Sequence, residues 1–204
     1  MTPLAMFRLT ILGCASLATL TACNSATSGG AASASSAAPS TAAQPAASTA
    51  SAASVNNASV DLKNAAGQTV GQARLVQQGD TVVIDVSAAG LTPGKHGVHI
   101  HTVGQCAAPD FASAGGHWNP TAKKHGLENP EGHHGGDMPN MDVGADGSGL
   151  LHATLAGERI SGGANPVLDA DGAALVIHAG PDDMKSDPSG NSGGRIACGV
   201  ITAQ

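Results

Sequence analysis

Seven of the nine histidines in this chain lie between His96 and Asp137. They are His96, His99, His101, His117, His125, His133 and His134. Imidazole nitrogen and carboxylate oxygen are ligands of zinc and copper. The rest of the chain is poor in charge and aromatics, at 12% and 1% of residues, so the concentration is not a by-product of composition. His99 and His101 are two apart in an extended segment, where alternate side chains share a face, and such a pair can chelate one ion. His96 is offset by an odd number and reads as a structural histidine bonded to backbone. His117, His125, His134 and Asp137 offer three imidazoles and a carboxylate, a complete tetrahedral zinc shell of the structural kind. The His134-Gly-Gly-Asp137 spacing lets the last two converge through a turn; His133 competes for that place but sits one residue off. His178, at the end of an LVIH run, can add a further ligand. His152, away from this stretch, reads as a surface residue.

The elements that position these residues are strands. Val60 and Leu62 alternate with polar neighbours, Gln72 to Gln77 is extended, and Thr81 to Ser87 is β-branched and alternating. Gly97 to Val103 is a strand carrying histidines. A long irregular segment follows, roughly Gly104 to Met141, and such a loop in a compact domain is usually functional. Gly149 to Leu155 and Ala173 to His178 are extended again. A second glycine- and proline-rich loop, Ala179 to Gly194, leads into Arg195 to Thr202. Gly79-Asp80, Pro93-Gly94 and Asp146-Gly147 mark turns. Many short strands with regular turn signals indicate an all-β sandwich or barrel.

The N-terminus is organised for export. Residues 1–22 read as a signal peptide, with Arg8 before an apolar run from Leu9 to Leu20 that is too short to span a bilayer. Leu20-Thr21-Ala22-Cys23 resembles the lipobox of bacterial lipoproteins, which makes Cys23 the lipidation site and the anchor the route to a membrane. Residues 23–54 are then a lipidated cysteine and an Ala/Ser-rich tether with too little to bury to offset its ordering entropy. Residues 55–204 suit one domain. The formal charge is −6, and loss of Arg8 with the leader makes it −7. That balance argues against nucleic acid as a partner and means that an anionic substrate needs a local positive patch. Cys106 and Cys198 remain in the domain, an even pair in an oxidising compartment, and are expected to be bridged.

The pieces HGVHIH, GGHWNP, KKHG, HGGD, VIHAGPDD and GGRIACGV, in this order, resemble the copper–zinc superoxide dismutase family in its bacterial exported form. The resemblance implies a Greek-key β-sandwich or flattened barrel with long metal-binding and electrostatic loops. It implies dismutation of superoxide to dioxygen and hydrogen peroxide, with one copper and one zinc per subunit. His99, His101, His117 and His178 match the copper ligands; His117, His125, His134 and Asp137 match the zinc ligands, His117 being shared as a bridge. Asp182 matches the carboxylate linking a copper histidine to a zinc histidine. Cys106 and Cys198 match the family disulfide, and Arg195 the active-site arginine. Lys123, Lys124 and Lys185 are weaker steering candidates, each also readable as a solvated loop charge. The subunit state, monomer or homodimer, has no signal in the chain.

The sequence departs from animal members of the family: the segment between Cys106 and His117 is longer, Trp118 replaces a common phenylalanine, and the Ala179–Gly194 loop is short. A copper-only relative has no use for His125, His134 and Asp137. A metal-storing lipoprotein needs ligands but neither Arg195 nor a shared imidazole. A zinc hydrolase needs an open position and a general base, and neither is evident.

Overall fold

Apolar residues at every second position become strands that bury one face. The computed structural model describes residues 54–204; the leader, Cys23 and nearly all of the tether lie outside the described residues. The strands are β1 (Asn57–Asn64), β2 (Thr69–Gln78), β3 (Thr81–Ala88), β4 (Gly94–His96), β5 (Val98–His101), β6 (Met141–Val143), β7 (Gly149–Ala156), β8 (Ala174–His178), β9 (Arg195–Val200) and β10 (Thr202–Ala203). Helix among the described residues is a single 3-10 turn, Ala112–Ala114.

All strand pairs are antiparallel, in the order β4-β6-β7-β3-β2-β1-β9-β8-β5, with β10 on β1. The two ends of that order, β4 and β5, are consecutive in the chain, with Gly97 between them. The sheet therefore curls until its edges meet through the chain, forming a nearly closed barrel, and the all-β expectation is met.

β7 buries every other residue from Gly149 to Leu155 and exposes Leu150, His152, Thr154 and Ala156. Its inward Leu151, Ala153 and Leu155 lie opposite Val86, Ile84 and Val82 of β3, and all six belong to the main core. β5 and β8 differ, being buried at every position. Val98, Ile100, Leu175 and Ile177 face the main core. Ala174 and Val176 face a second, smaller cluster with Phe111, Ala114 and Cys198. By the same alternation, His99 and His101 leave the barrel wall on the outer side, and covering loops bury them there.

The covering is specific. β5 pairs with β8 on one side; its other edge is taken by the long loop. Ile100 N donates to Gly136 O at 3.0 Å, and Trp118 N donates to Ile100 O at 2.8 Å. Isolated bridges set His101 beside His117 and His99 beside Asp137. An edge strand's unpaired backbone thus brings loop residues far apart in sequence next to the strand histidines. The strand expected from Gly97 to Val103 is shorter, Val98–His101, because Thr102 N and Val103 N turn to the loop carbonyls of Gly116 and Ala114.

Candidate metal centre

The structure brings together all the predicted ligands in two adjoining sets. His99, His101, His117 and His178 each place a ligand atom within 4.8 Å of the others. A second set within that limit is His99, His117, His125 and Asp137. His134 joins the second set at its margin: its Nδ1 lies 3.4 Å from both Asp137 Oδ1 and His117 Nδ1.

In the first set the surroundings fix which nitrogen of each ring is free. His101 Nδ1 donates to Gly115 O at 2.9 Å, and His178 Nδ1 donates to Gly193 O at 3.2 Å. His99 Nε2 donates to Asp182 Oδ2 at 2.7 Å. A neutral imidazole has one donor nitrogen and one lone pair, so each of these rings turns a lone pair to the set. Burial favours the neutral form: it pulls His99 down to about 3, His101 to about 2 and His178 to about 4. His101 Nε2 and His178 Nε2 then face each other at 3.4 Å. Among the described residues, His99 Nδ1 and His117 Nε2 are buried without a hydrogen-bond partner. Converging lone pairs and orphaned nitrogens are costly in a dry site; a cation among them removes the cost, and four imidazoles suit copper.

Around Asp137 the donors of His117, His125 and His134 converge. Nδ1 of His117, His125 and His134 stands 3.2, 3.0 and 3.4 Å from Asp137 Oδ1. An ion with four tetrahedral bonds of about 2.0 Å spaces its donors about 3.3 Å apart, so this donor set fits zinc. Asp137 Oδ2 is held by the backbone N–H groups of Gly126 at 2.8 Å and His134 at 3.0 Å. Despite its burial, the three histidines and Gly126 keep the Asp137 carboxyl far below the usual range. Burial works against a charge on His125, but Asp137 at one nitrogen and Asp182 at the other outweigh it and raise His125 to about 9.

Asp182 joins the two sets. Besides His99, it accepts His125 Nε2 at 3.0 Å and Met184 N at 2.6 Å on Oδ1. Burial raises its carboxyl, and the hydrogen bonds from His125 and His99 more than reverse that. Its own backbone N–H is held by Asn140 Oδ1 at 2.8 Å. Gly190, with φ +61°, passes so close that an added Cβ would collide with Asp182 and stand 2.7 Å from His125 Nε2. Gly126, with φ +108°, presses its backbone onto that of Met184 in the same way.

Arg195, at the start of β9, donates from Nη1 to Phe111 O and from Nη2 to Gly115 O, both at 2.5 Å. It lines an open cleft with Asp110, Gly115, Gly116, Gly193 and Gly194. Gly115 and Gly193 are the residues whose carbonyls hold His101 and His178, so the cleft abuts the first histidine set. Cys106 and Cys198 form the expected disulfide, with Cα atoms 5.7 Å apart.

The residues outside the two sets fall as follows. His96 is buried with Nδ1 2.7 Å from His178 O and Nε2 2.8 Å from Thr92 O, the backbone-bonded role expected. His133 is exposed and bonds its Nδ1 to the His134 carbonyl at 2.7 Å. His152 pairs with Asp85 on the outer sheet face at 2.7 Å. Lys124 and Lys185 are paired with Asp187 at 3.2 Å and Glu128 at 2.9 Å, which offsets their pull on an anion. Sequence reasoning missed the carbonyls of Gly115, Gly193 and Phe111 and the carboxylate of Asp187; backbone acceptors carry no residue-type signal.

Comparison with known proteins decides the family. The copper/zinc superoxide dismutase (SODC) family matches residues 69–201. The chain belongs to that family. Superoxide dismutase [Cu-Zn] 1 of Aquifex aeolicus (strain VF5) is 47% identical over 145 residues, 69% of this chain and 85% of the relative. Superoxide dismutase [Cu-Zn] of Caulobacter vibrioides is 40% identical over 147 residues, 71% of this chain and 84% of the relative. A crystal structure of a mutant SOD-like protein from Bacillus subtilis superposes with a TM-score of 0.68 at 43% identity, covering 71% of this chain and 97% of that one. As a family member the chain is an oxidoreductase that dismutes superoxide.

Proposed function

We propose that this chain is an exported, lipid-anchored superoxide dismutase in which copper and zinc share His117. In this reading His99, His101, His117 and His178 hold copper, and His117, His125, His134 and Asp137 hold zinc. His134 is assigned to zinc in preference to His99 because His99 Nε2 is engaged by Asp182, leaving only Nδ1 for the first set. The observation that carries the reading is the two-sidedness of His117: Nδ1 lies among the Asp137 and His134 donors, while Nε2 is buried without a partner among the described residues. When bound, copper supplies one-electron redox chemistry and zinc a fixed charge without redox chemistry.

The chain's own residues do the rest. Arg195 is always charged and presents a fixed fork of donors. In a chain of negative net charge it is the local attractor for a small anion. Its bonds to Phe111 O and Gly115 O hold it at the cleft. Gly115 O and Gly193 O keep His101 and His178 in the tautomer that frees Nε2. Asp182 holds His99 Nε2, which frees Nδ1, and orients His125. His117 Nε2, which makes no hydrogen bond among the described residues, is the nitrogen that this reading gives to copper.

The test is superoxide consumption by purified protein reconstituted with copper and zinc, with both metals counted in the same sample. Activity at one of each per chain supports the reading. Full activity with copper but no zinc removes the shared-ligand assignment.

Residues 1–22 as a leader, Cys23 as the lipid anchor and residues 23–54 as a tether make the cell envelope the place of action, where the enzyme meets extracytoplasmic superoxide. Fractionation tests this. Cys23→Ser releases the protein from membranes; a variant still recovered with membranes overturns the anchor.

A further inference from the structure

A metal-binding imidazole usually gives its other ring N–H to an acceptor that fixes the tautomer and raises ligand basicity. His99 and His125 give theirs to Asp182, His101 to Gly115 O and His178 to Gly193 O. His117 has no N–H to give when both nitrogens face ligand sets. That leaves His134. Its Nδ1 faces Asp137 and His117, and among the described residues its Nε2 makes no hydrogen bond. A carboxylate oxygen, Asp187 Oδ1, lies 3.8 Å from that nitrogen.

Asp187 is not a loose surface acid. Its Oδ1 accepts the backbone N–H of His125 at 2.9 Å, and its Oδ2 takes Lys124 Nζ at 3.2 Å. The same loop segment that carries His125 therefore holds this carboxylate beside His134. The His134 side chain is 7% exposed and that of Asp187 is 39% exposed, so the pair straddles the edge of the buried centre.

We propose that Asp187 is the positioning residue for His134, accepting its Nε2 proton when Nδ1 binds zinc. The proposal rests on the zinc reading given above. Closing the gap from 3.8 Å to about 2.8 Å makes a charge-assisted bond. Asp182 and Asp187 then hold the zinc histidines from two points of the 179–194 loop. That loop is thereby tied to the zinc site twice.

The experiment uses the full chain and zinc(II), titrated in competition with a chromophoric chelator. Asp187→Ala weakens zinc binding by about tenfold, within the range for lost outer partners of a metal ligand. Asp187→Asn, which still accepts an N–H but lacks the charge, falls between Asp187→Ala and the parent. Lys124→Ala keeps the carboxylate and binds zinc within about twofold of the parent, the exposed ion pair being weak. A readout of His134 itself separates positioning from loop stapling. In the zinc-loaded parent the His134 Nε2 proton exchanges slowly with solvent by NMR, and in Asp187→Ala it exchanges fast. Parent-like zinc affinity in Asp187→Ala overturns the proposal. So does weakened affinity with an unchanged His134 proton, because Asp187 is then only a loop staple. If His134→Ala binds zinc as tightly as the parent, the zinc reading itself fails, a result distinct from either.

Discussion

His101 and Arg195 meet on one oxygen: the Gly115 carbonyl accepts His101 Nδ1 at 2.9 Å and Arg195 Nη2 at 2.5 Å. A first-set histidine and the cationic residue of the cleft are thus registered against the same peptide unit. Arg195→Glu removes the attraction for an anion but leaves the His101 bond to Gly115. Metal content stays at the parent level, superoxide consumption falls by roughly ten- to a hundred-fold, and its dependence on ionic strength reverses sign. A rate like the parent's removes Arg195 from the mechanism.

Asp182 accepts His99 Nε2 on Oδ2, and His125 Nε2 lies 3.0 Å from each of its oxygens. Asparagine keeps one acceptor and turns its NH2 group either to the His99 N–H or to the N–H groups of His125 and Met184. Asp182→Asn is therefore nearly as damaging as Asp182→Ala, each lowering affinity for both metals by roughly ten- to a hundred-fold. Metal counts after dialysis against a chelator check this; loss of one metal with retention of the other contradicts the joining role.

The metal-free protein has a two-sided pH dependence. His99, His101 and His178 fall in the folded state from 6.5 to about 3, 2 and 4. Below pH 6.5 the unfolded chain binds more protons, so stability declines as pH drops toward 4. The depressed Asp137 and Asp182 add to this acid limb, their contribution being lost as pH falls below the ordinary carboxylate value. His125 acts on the other side. Its folded value is raised from 6.5 to about 9, so its contribution is complete below 6.5 and disappears as pH rises through 9. Urea midpoints of metal-free protein peak near pH 6.5. Zinc at the His125 Nδ1 displaces the proton there and abolishes the alkaline limb.

The disulfide spans 92 residues. Closing a loop of that length contributes about 4–5 kcal/mol in the chain-entropy model. The double variant Cys106→Ala, Cys198→Ala loses stability of that order in a denaturant titration. It also frees the segment whose Phe111 and Gly115 carbonyls hold Arg195, so activity falls even where the protein stays folded. Two reactive thiols in denatured, unreduced parent would contradict the bridge itself.

Much of this centre is legible before folding because strand alternation is strict. His99 and His101 had to share a face; His96 lies on the separate strand β4, beyond Gly97, where the alternation of β5 does not reach. The choice between His133 and His134 rested on the turn to Asp137 and agrees with burial: His134 is covered and His133 exposed. Other features are invisible at sequence level. β4 is a three-residue strand opened by Gly94 at φ +134° and exists through pairing with β6, far along the chain. The partners of Lys124 and Lys185 come from the opposite loop. Asp187 meets His125 across 62 positions, a separation that no local pattern encodes.

The chain contains 28 glycines, a composition that reads as slackness. Gly126 and Gly190 reverse that impression. Each is a place where two loops touch through hydrogen alone, one against Met184 and the other against Asp182. A single methyl group at either would act as a wedge, splitting the seam beside His125 and Asp137 and admitting water to both. In a survey of random variants these two positions should tolerate replacement as poorly as the histidines do, although neither carries a functional group.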